Sequence, residues 1–392
     1  MNDYWITLAW KEIIGQYTVK NLLQKAIIEE KVAHAYCFIG IEGVGKEAVA
    51  VEFAKAVNCE APVIDNGKFD ACGRCISCRM MKSLQHPDVQ IIYSLPSPKS
   101  IDSRRDNITE KLSDEQISEI QEQNALKASN PYYKIRISKA SQIKIAQIRE
   151  VKRSLSLAPN SQGRRFILVF NAEDMTTESA NAFLKTLEEP HSNTTIIMTT
   201  SQPQLILPTI LSRCQQVYFQ NLPDDELELH LVNQLNLDRT EARLAVTIGQ
   251  GSYLKSVEAL DEGMKNLRNQ VVDLLRTALK KRIYRVELIA KLQPLLSVKD
   301  KNFVDKILLI LLLWLRDANN LINTELKGEI INIDQITFLQ SFARNFQDKA
   351  VDKVLILIED AMKNNRRNVN QQLLLVNLFI EIRKKILLAG NI

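Results

Sequence analysis

No stretch of this chain is apolar for long enough to cross a membrane. The longest apolar run, Ile307-Leu-Leu-Ile-Leu-Leu-Leu-Trp-Leu315, is nine residues, against the roughly 20 a spanning helix needs, and it predicts a fully buried helix instead. The opening MNDYWITLAWKEIIGQ carries an early acid, Asp3, and lacks the apolar centre of a secretion signal, so a cytoplasmic protein is expected. Neither sign of charge dominates: 51 basic and 46 acidic residues give +5 at pH 7. Such a balance permits contact with nucleic acid without requiring it. No internal repeat is found. Cysteine is scarce, six in 392 residues, but four fall between Cys59 and Cys78. That clustering fits a reducing compartment and a metal site rather than a disulfide framework. Apolar content of 45 % with 25 % charged residues describes an ordinary folded protein, long enough for two or three domains.

A second kind of absence is local. Gly40-Ile-Glu-Gly-Val-Gly-Lys-Glu47 fills the phosphate-loop pattern G-x-x-x-x-G-K-[ST] except at its last position. In a working loop backbone N–H groups cradle phosphates, the lysine reaches the β/γ oxygens and the final hydroxyl holds Mg²⁺. Gly40, Gly43, Gly45 and Lys46 keep the cradle, but Glu47 puts a carboxylate where phosphate and metal approach. Such sites also need an acid at the end of a second strand to hold the metal. The matching strand here, Arg165–Phe170, ends in Phe170 and Asn171, with Glu173 and Asp174 arriving late. Loss of ligands on both walls predicts a loop that does not run Mg²⁺-dependent turnover, with nucleotide binding at Lys46 left open.

Strand-like runs at Ala35–Ile39, Val89–Tyr93, Arg165–Phe170, Thr195–Thr200 and Gln216–Phe219 alternate with helical patterns at Ala48–Asn58, Ser141–Leu157 and Glu178–Glu188. This alternation predicts an α/β domain with a parallel sheet covered on both faces, its ligand site beyond the carboxyl ends of the strands. From Pro223 the strand signals fade. Asp224–Leu235 and Asp238–Ile248 read as helices, and the chain beyond about Gly263 reads as a helical bundle, with strong periodicity in Val351–Met362 and Gln371–Leu387. Ser94–Asn130 is polar and carries Pro96 and Pro98. It reads as a surface insertion, or alternatively a docking element, with one helix around Leu112–Leu126 that Ser113 and Gln116 would cap.

Cys59, Cys72, Cys75 and Cys78 are spaced C-x12-C-x2-C-x2-C. Four thiolates complete a tetrahedral Zn²⁺ shell with no position left for water, so the zinc is expected to be structural. Unpaired buried thiols and a redox pair are the alternatives, and His86 is a conceivable substitute ligand. Cys37 and Cys214 read as core or near-core residues. Ser212-Arg-Cys214 follows a short helical turn at Leu207–Leu211. Arginine stabilises charge on a transferring phosphoryl group and can be supplied to a neighbour's site, although a surface arginine taken alone is an ordinary solvated charge.

These residues together resemble the bacterial replicative clamp-loader subunits of the AAA+ class, and within it the delta-prime type. The resemblance rests on Ile14-Gly-Gln16, Ala33-His-Ala-Tyr36, the cysteine module, His86-Pro-Asp88 and Gln147-Ile-Arg-Glu150. It rests further on Asn181-Ala-Phe-Leu-Lys-Thr-Leu-Glu-Glu-Pro190 and Leu207-Pro-Thr-Ile-Leu-Ser-Arg-Cys214. It implies three parts: an AAA+ α/β domain at 1–221 with its zinc module (59–78) and insertion (about 94–130), a helical lid at 222–263, and an all-α collar at 264–392 that joins a hetero-pentamer. It implies gamma/tau and delta subunits, the sliding clamp and the phosphates of primed DNA as partners, within the polymerase III holoenzyme. In that family gamma/tau hydrolyse ATP while delta-prime is a largely rigid stator. The arginine of its Ser-Arg-Cys motif completes a neighbour's ATP site, a role that falls on Arg213 between Ser212 and Cys214. Glu47, Phe170 and Asn171 support the delta-prime type, as does Leu254 in place of a nucleotide-sensing lid arginine. An active gamma/tau-like ATPase is the alternative. A stand-alone zinc protein binding nucleic acid is a third reading, weakened because the cysteine module lacks a dense basic or aromatic surround.

Overall fold

The computed structural model describes residues 9–65, 67–96, 112–156, 163–296, 303–323, 330–346, 351–365, 367 and 369–388. Part of the insertion, 97–111 with Pro98, lies outside the described residues, as do Leu157 and Asn368. The chain forms two compact units. The first comprises Met1–His230 with Gly251–Leu254, and the second Leu231–Gln250 with Lys255–Ile392.

The first unit is built on a five-stranded sheet. Its strands are β1 (Ala35–Ile39), β4 (Val89–Ile92), β5 (Arg165–Val169), β6 (Thr194–Thr200) and β7 (Gln215–Tyr218), while β2 (Val63–Asp65) and β3 (Lys68–Asp70) pair separately as an antiparallel hairpin. The order β4-β5-β6-β1-β7 is parallel at every pairing, with Ala35 beside Ile196 and Tyr36 beside Gln215. This is the P-loop-type sheet that the alternation of strands and helices predicts. Helices in this unit are α1 (Tyr17–Ile28), α2 (Lys46–Val57), α3 (Ile76–Lys82), α4 (Asp114–Ser129), α5 (Ile145–Ser156), α6 (Thr177–Glu188) and the single turn α7 (Pro208–Leu211).

Every residue of β1 and β6 is buried, as expected of parallel strands covered on both sides. The period-2 geometry of a strand divides them between two cores. Tyr36 and Phe38 join Val49 and Phe53 of α2 and Leu23 of α1, whereas Cys37 and Ile39 join Ile148 of α5 and Phe183 of α6. The edges of elements move by a few residues from the sequence reading. β5 stops at Val169, leaving Phe170 buried in the bend beyond it, and α5 starts at Ile145 rather than Ser141. α2 starts at Lys46 because Gly45, at φ +92°, forms the left-handed entry to the helix.

The described part of the insertion packs against the sheet domain. Ser113 and Gln116 do form the capping box of α4, but the helix lies against the fold. Leu95, Ile117 and Ile120 pack on Leu112 and Ala146, and Tyr93 Oη donates to Asn124.

The second unit is helical throughout its described residues. The apolar run falls in a helix, Phe303–Ile322, whose Ile307, Leu308, Leu311 and Leu315 are buried while Leu309 and Leu312 are only half-buried. A polar knot holds the approach to the helix Ile336–Asn345. Asp317 accepts the N–H groups of Ile331 and Asn332 at 3.0 and 2.8 Å, and Arg268 binds both carboxylate oxygens of Asp334 at 2.8 and 3.0 Å. Among the described residues no helix is long and apolar enough to cross a membrane.

Candidate functional site

The loop 40–47 runs from the end of β1 into α2, at the carboxyl edge of the sheet where a P-loop fold places its ligand. Gly43 (φ +79°) and Gly45 (φ +92°) hold backbone angles that other residues enter only at a cost. A side chain at Gly43 would lie 2.9 Å from Leu254 N and closer still to Ser252 Oγ; one at Gly45 would lie 3.1 Å from the Tyr132 ring. The chain itself covers the cradle. Ser252 Oγ donates to Glu42 O at 2.7 Å and Tyr253 N–H donates to Gly43 O at 3.0 Å. The recess left, lined by Gly43, Gly45, Lys46, Glu47, Lys127 and Asn171 among others, is about 30 Å³. That is space for one or two waters.

Lys46 turns back on its own loop, with Nζ donating to Gly40 O and Ile41 O, both at 2.7 Å. Burial pushes its pKa down to about 8, against the pull of Glu47, Glu173 and Glu42. Glu47 forms an ion pair with Lys127, from the last turn of α4, and Lys134 pairs with Glu42. Lys127 is 3 % exposed. Its Nζ also donates to Tyr133 O at 2.7 Å and stands 5.4 Å from the centre of the Phe170 ring. Asn171, in a left-handed conformation (φ 51°), donates its N–H to Thr199 Oγ1. The late acids are engaged elsewhere. Glu173 accepts from Ser201 N and Oγ at 3.0 and 2.9 Å, Asp174 accepts from Ser94 Oγ at 3.0 Å, and neither lines the recess. Lys127, Tyr132 and Lys134 were invisible to motif reading. They lie 80 residues or more from the loop, in a polar segment with no pattern of its own.

The four cysteines meet at one point. Their sulfurs all lie within 4.8 Å of one another, with Cys72 and Cys78 at 4.0 Å. A tetrahedral thiolate shell with metal–sulfur bonds of about 2.3 Å has edges of about 3.8 Å, so the cluster could hold a metal ion. The 12-residue spacer is the β2–β3 hairpin, which brings Cys59 back to Cys72. Backbone N–H groups of Cys72, Cys75 and Cys78 point at the sulfurs of Cys59, Cys72 and Cys75 at 3.2, 3.3 and 3.4 Å. Such donors favour thiolate over thiol. Burial pushes the Cys78 thiol up; at Cys72 burial is outweighed by N–H donors from Arg74 and Cys75, and the pKa falls to about 6. His86 is no ligand here. Its Nδ1 accepts from Asp88 N–H and its Nε2 meets Ser77 Oγ at 3.0 Å.

Arg213 follows α7 and precedes the edge strand β7. Nη1 donates to Thr209 O at 2.9 Å and Nη2 pairs with Glu188 at 2.8 Å, with the arginine side chain 36 % exposed. Ser212 Oγ donates to Thr209 O at 3.1 Å. Cys214 is half-buried against the core that holds Cys37, and burial pushes both thiols up to about 12.

A family model described as DNA polymerase III, delta subunit, matches residues 15–223, more than half of the 392-residue chain. The chain belongs to that family. A companion model for the C-terminal part of the delta subunit matches residues 262–384. The DNA polymerase III subunit delta' of Bacillus subtilis is 25 % identical over 97 % of this chain and the whole of the relative. Subunit tau of the same organism is also 25 % identical, but over 65 % of this chain and 38 % of tau. A solved gamma subunit-related protein from Thermotoga maritima covers 93 % of this chain and 99 % of its own at 19 % identity, with a TM-score of 0.35. End-to-end alignment thus goes with the delta' type of clamp-loader subunit, and the five-stranded parallel unit is of the AAA+ kind.

Gly43→Ala is expected to cost ~1–3 kcal/mol of stability, because its backbone angle and its contact with 252–254 both resist a methyl group. Denaturant melts of the full chain measure this, and an unchanged midpoint would show the loop to be looser than described.

Proposed function

We propose that this delta'-type subunit is a non-hydrolysing stator of the replicative clamp loader, and that Arg213 completes the ATP site of an adjacent gamma/tau subunit. The observation that carries this reading is the contrast between two sites on one sheet. The loop at β1 has lost both metal-ligand positions, to Glu47 and Phe170, and the chain covers it with its own side chains. Arg213, beside the edge strand, is held among the described residues by a part-exposed ion pair with Glu188 and a backbone carbonyl. An exposed pair of this kind is worth ~0–1 kcal/mol, so a triphosphate displaces the carboxylate at little cost. Guanidinium geometry suits the equatorial oxygens of a phosphoryl group in transit. Ser212 and Cys214 act by position: the serine closes the turn onto Thr209 and the cysteine anchors the turn in the core.

In this reading residues 222–263, which are divided between the two units, form a lid, and residues 264–392 of the second unit form a collar. The collar joins gamma/tau and delta subunits in a hetero-pentamer that opens the sliding clamp at primed DNA in the cytoplasm. Contacts with DNA go to phosphates and carry no sequence preference. The ion at Cys59, Cys72, Cys75 and Cys78 is zinc in a structural role, supported by the four-sulfur donor set, which leaves no position for a reacting water. The sulfurs stabilise a hairpin too small to form a core alone. An active ATPase of the gamma/tau kind would need a metal site where Glu47, Lys127 and Phe170 now meet.

Purified alone, the chain is expected to show no magnesium-dependent ATP turnover; brisk hydrolysis would overturn the stator reading. Arg213→Ala should melt like the parent yet lower turnover at one site of the reconstituted assembly by ~10³-fold or more, so that only part of the total disappears. Normal turnover and clamp loading by that assembly would refute the role of Arg213. Metal analysis should find one zinc per chain, and Cys75→Ser should lose it and lower the melting temperature by several degrees. A zinc-free parent that melts identically after treatment with chelator would remove the structural role.

A further inference from the structure

The two residues that abolish a metal site in this loop are the same two that surround a lysine. In a metal-dependent P-loop the ion lies between the loop's hydroxyl and the acid that ends the second strand. Glu47 takes the hydroxyl's position, and Phe170 stands where the strand-end acid belongs. In the fold both face one atom, Lys127 Nζ. Glu47 pairs with it and the Phe170 ring lies beneath it at 5.4 Å, a distance at which an aromatic face attracts a cation. The remaining donor capacity goes to Tyr133 O at 2.7 Å. The side chain is 2 % exposed, so this is a built environment and not a surface encounter.

We infer that the Lys127 ammonium is a built-in replacement for the magnesium ion, with Glu47 and Phe170 as its seat, and that the segment from α4 to Lys134 is an internal plug holding the phosphate loop in its unliganded shape. This rests on the non-hydrolysing reading and adds the device behind it. The residues present do not fit a metal ion. A carboxylate alone cannot complete the near-octahedral oxygen shell that Mg²⁺ demands, and an ammonium already neutralises it. The plug continues past Lys127. Tyr132 closes over Gly45, and Lys134 pairs with Glu42 on the other side of the loop. Its attachment at depth is the hydrogen bond from Ile14 N–H to Tyr132 Oη, 2.7 Å long and buried. The plug is thereby tied to the turn that leads into α1 and is no bystander on the surface.

Replacing either partner of the pair leaves the other charged and half- to fully buried, a costly state; replacing both removes that cost. The test is a double-mutant cycle on the full-length chain, with Glu47→Gln, Lys127→Met and the double variant melted side by side. Each single change is expected to lower the melting temperature by about 4 °C or more, and the double to lose clearly less than the sum. Additive losses, or a Lys127→Met chain as stable as the parent, would overturn the inference. If Lys127→Met does not fold, rescue of folding by adding Glu47→Gln supports the pair and failure of rescue overturns it. A second arm uses a fluorescent ATP analogue with the parent chain. Magnesium should leave its binding unchanged, and an enhancement of about tenfold would show that a metal takes the place assigned to the lysine. Neither readout depends on Arg213, so loss of the stator role in the assembly and loss of the plug are separately visible.

Discussion

A carboxylate at the mouth of a phosphate-binding loop has to be neutralised, and much of the first unit is arranged around that need. Gly43 and Gly45 keep the left-handed turns of a phosphate loop, and Glu47 sets a negative charge at the start of the helix that follows. Water cannot reach in to screen it fully. The cation comes from the last turn of α4, far away in the chain. Once Lys127 is committed there, the position of α4, the path from Asn130 to Lys134 and the covering of the loop follow from one another. Tyr132, Tyr253 and His230 pack as an aromatic group beside the same loop, and the limited access of water lowers the dielectric in which the ion pair acts.

The same sheet has a second active edge with the opposite character. Arg213 lies just before β7, the edge strand on that side, where a side chain can face solvent without disturbing a core. Its anchor is stiff, a single helical turn begun by Pro208 and seated on the buried Ile210. Its tip is loosely held by Glu188. A covered loop and a part-exposed arginine thus share one sheet.

The cysteine cluster answers a different constraint. The β2–β3 hairpin and α3 together are too few residues to bury enough apolar surface for stability. Cys72 and Cys78 join the main core while Cys59 and Cys75 pack at its margin, so four sulfurs at one point fasten the hairpin to α2 and the sheet. Gln24 of α1 adds a direct bond to Phe69 O. A metal ion held by these sulfurs would add coordination bonds where packing is thin.

Much of this was legible in the chain itself. Parallel strands buried on both faces are short runs of apolar and β-branched residues, so β1, β5 and β6 could be placed to within a residue. The glycines and lysine of the loop have fixed spacing because backbone geometry demands it, and thiolate spacing is read as directly. The capping box of α4 was visible as Ser113 and Gln116, since a cap is a local interaction. What the sequence could not disclose is whatever depends on two distant segments meeting. Nothing in a polar stretch rich in Glu, Gln and Lys marks Lys127 as the counter-ion of Glu47, because an ion pair has no required separation along the chain. Likewise the residues alone left His86 open as a metal ligand, and only the fold shows both its nitrogens already engaged by Asp88 and Ser77. Local periodicity and motif spacing are short-range rules and were settled by the sequence; the pairing of charges across 80 residues was decided by the tertiary structure.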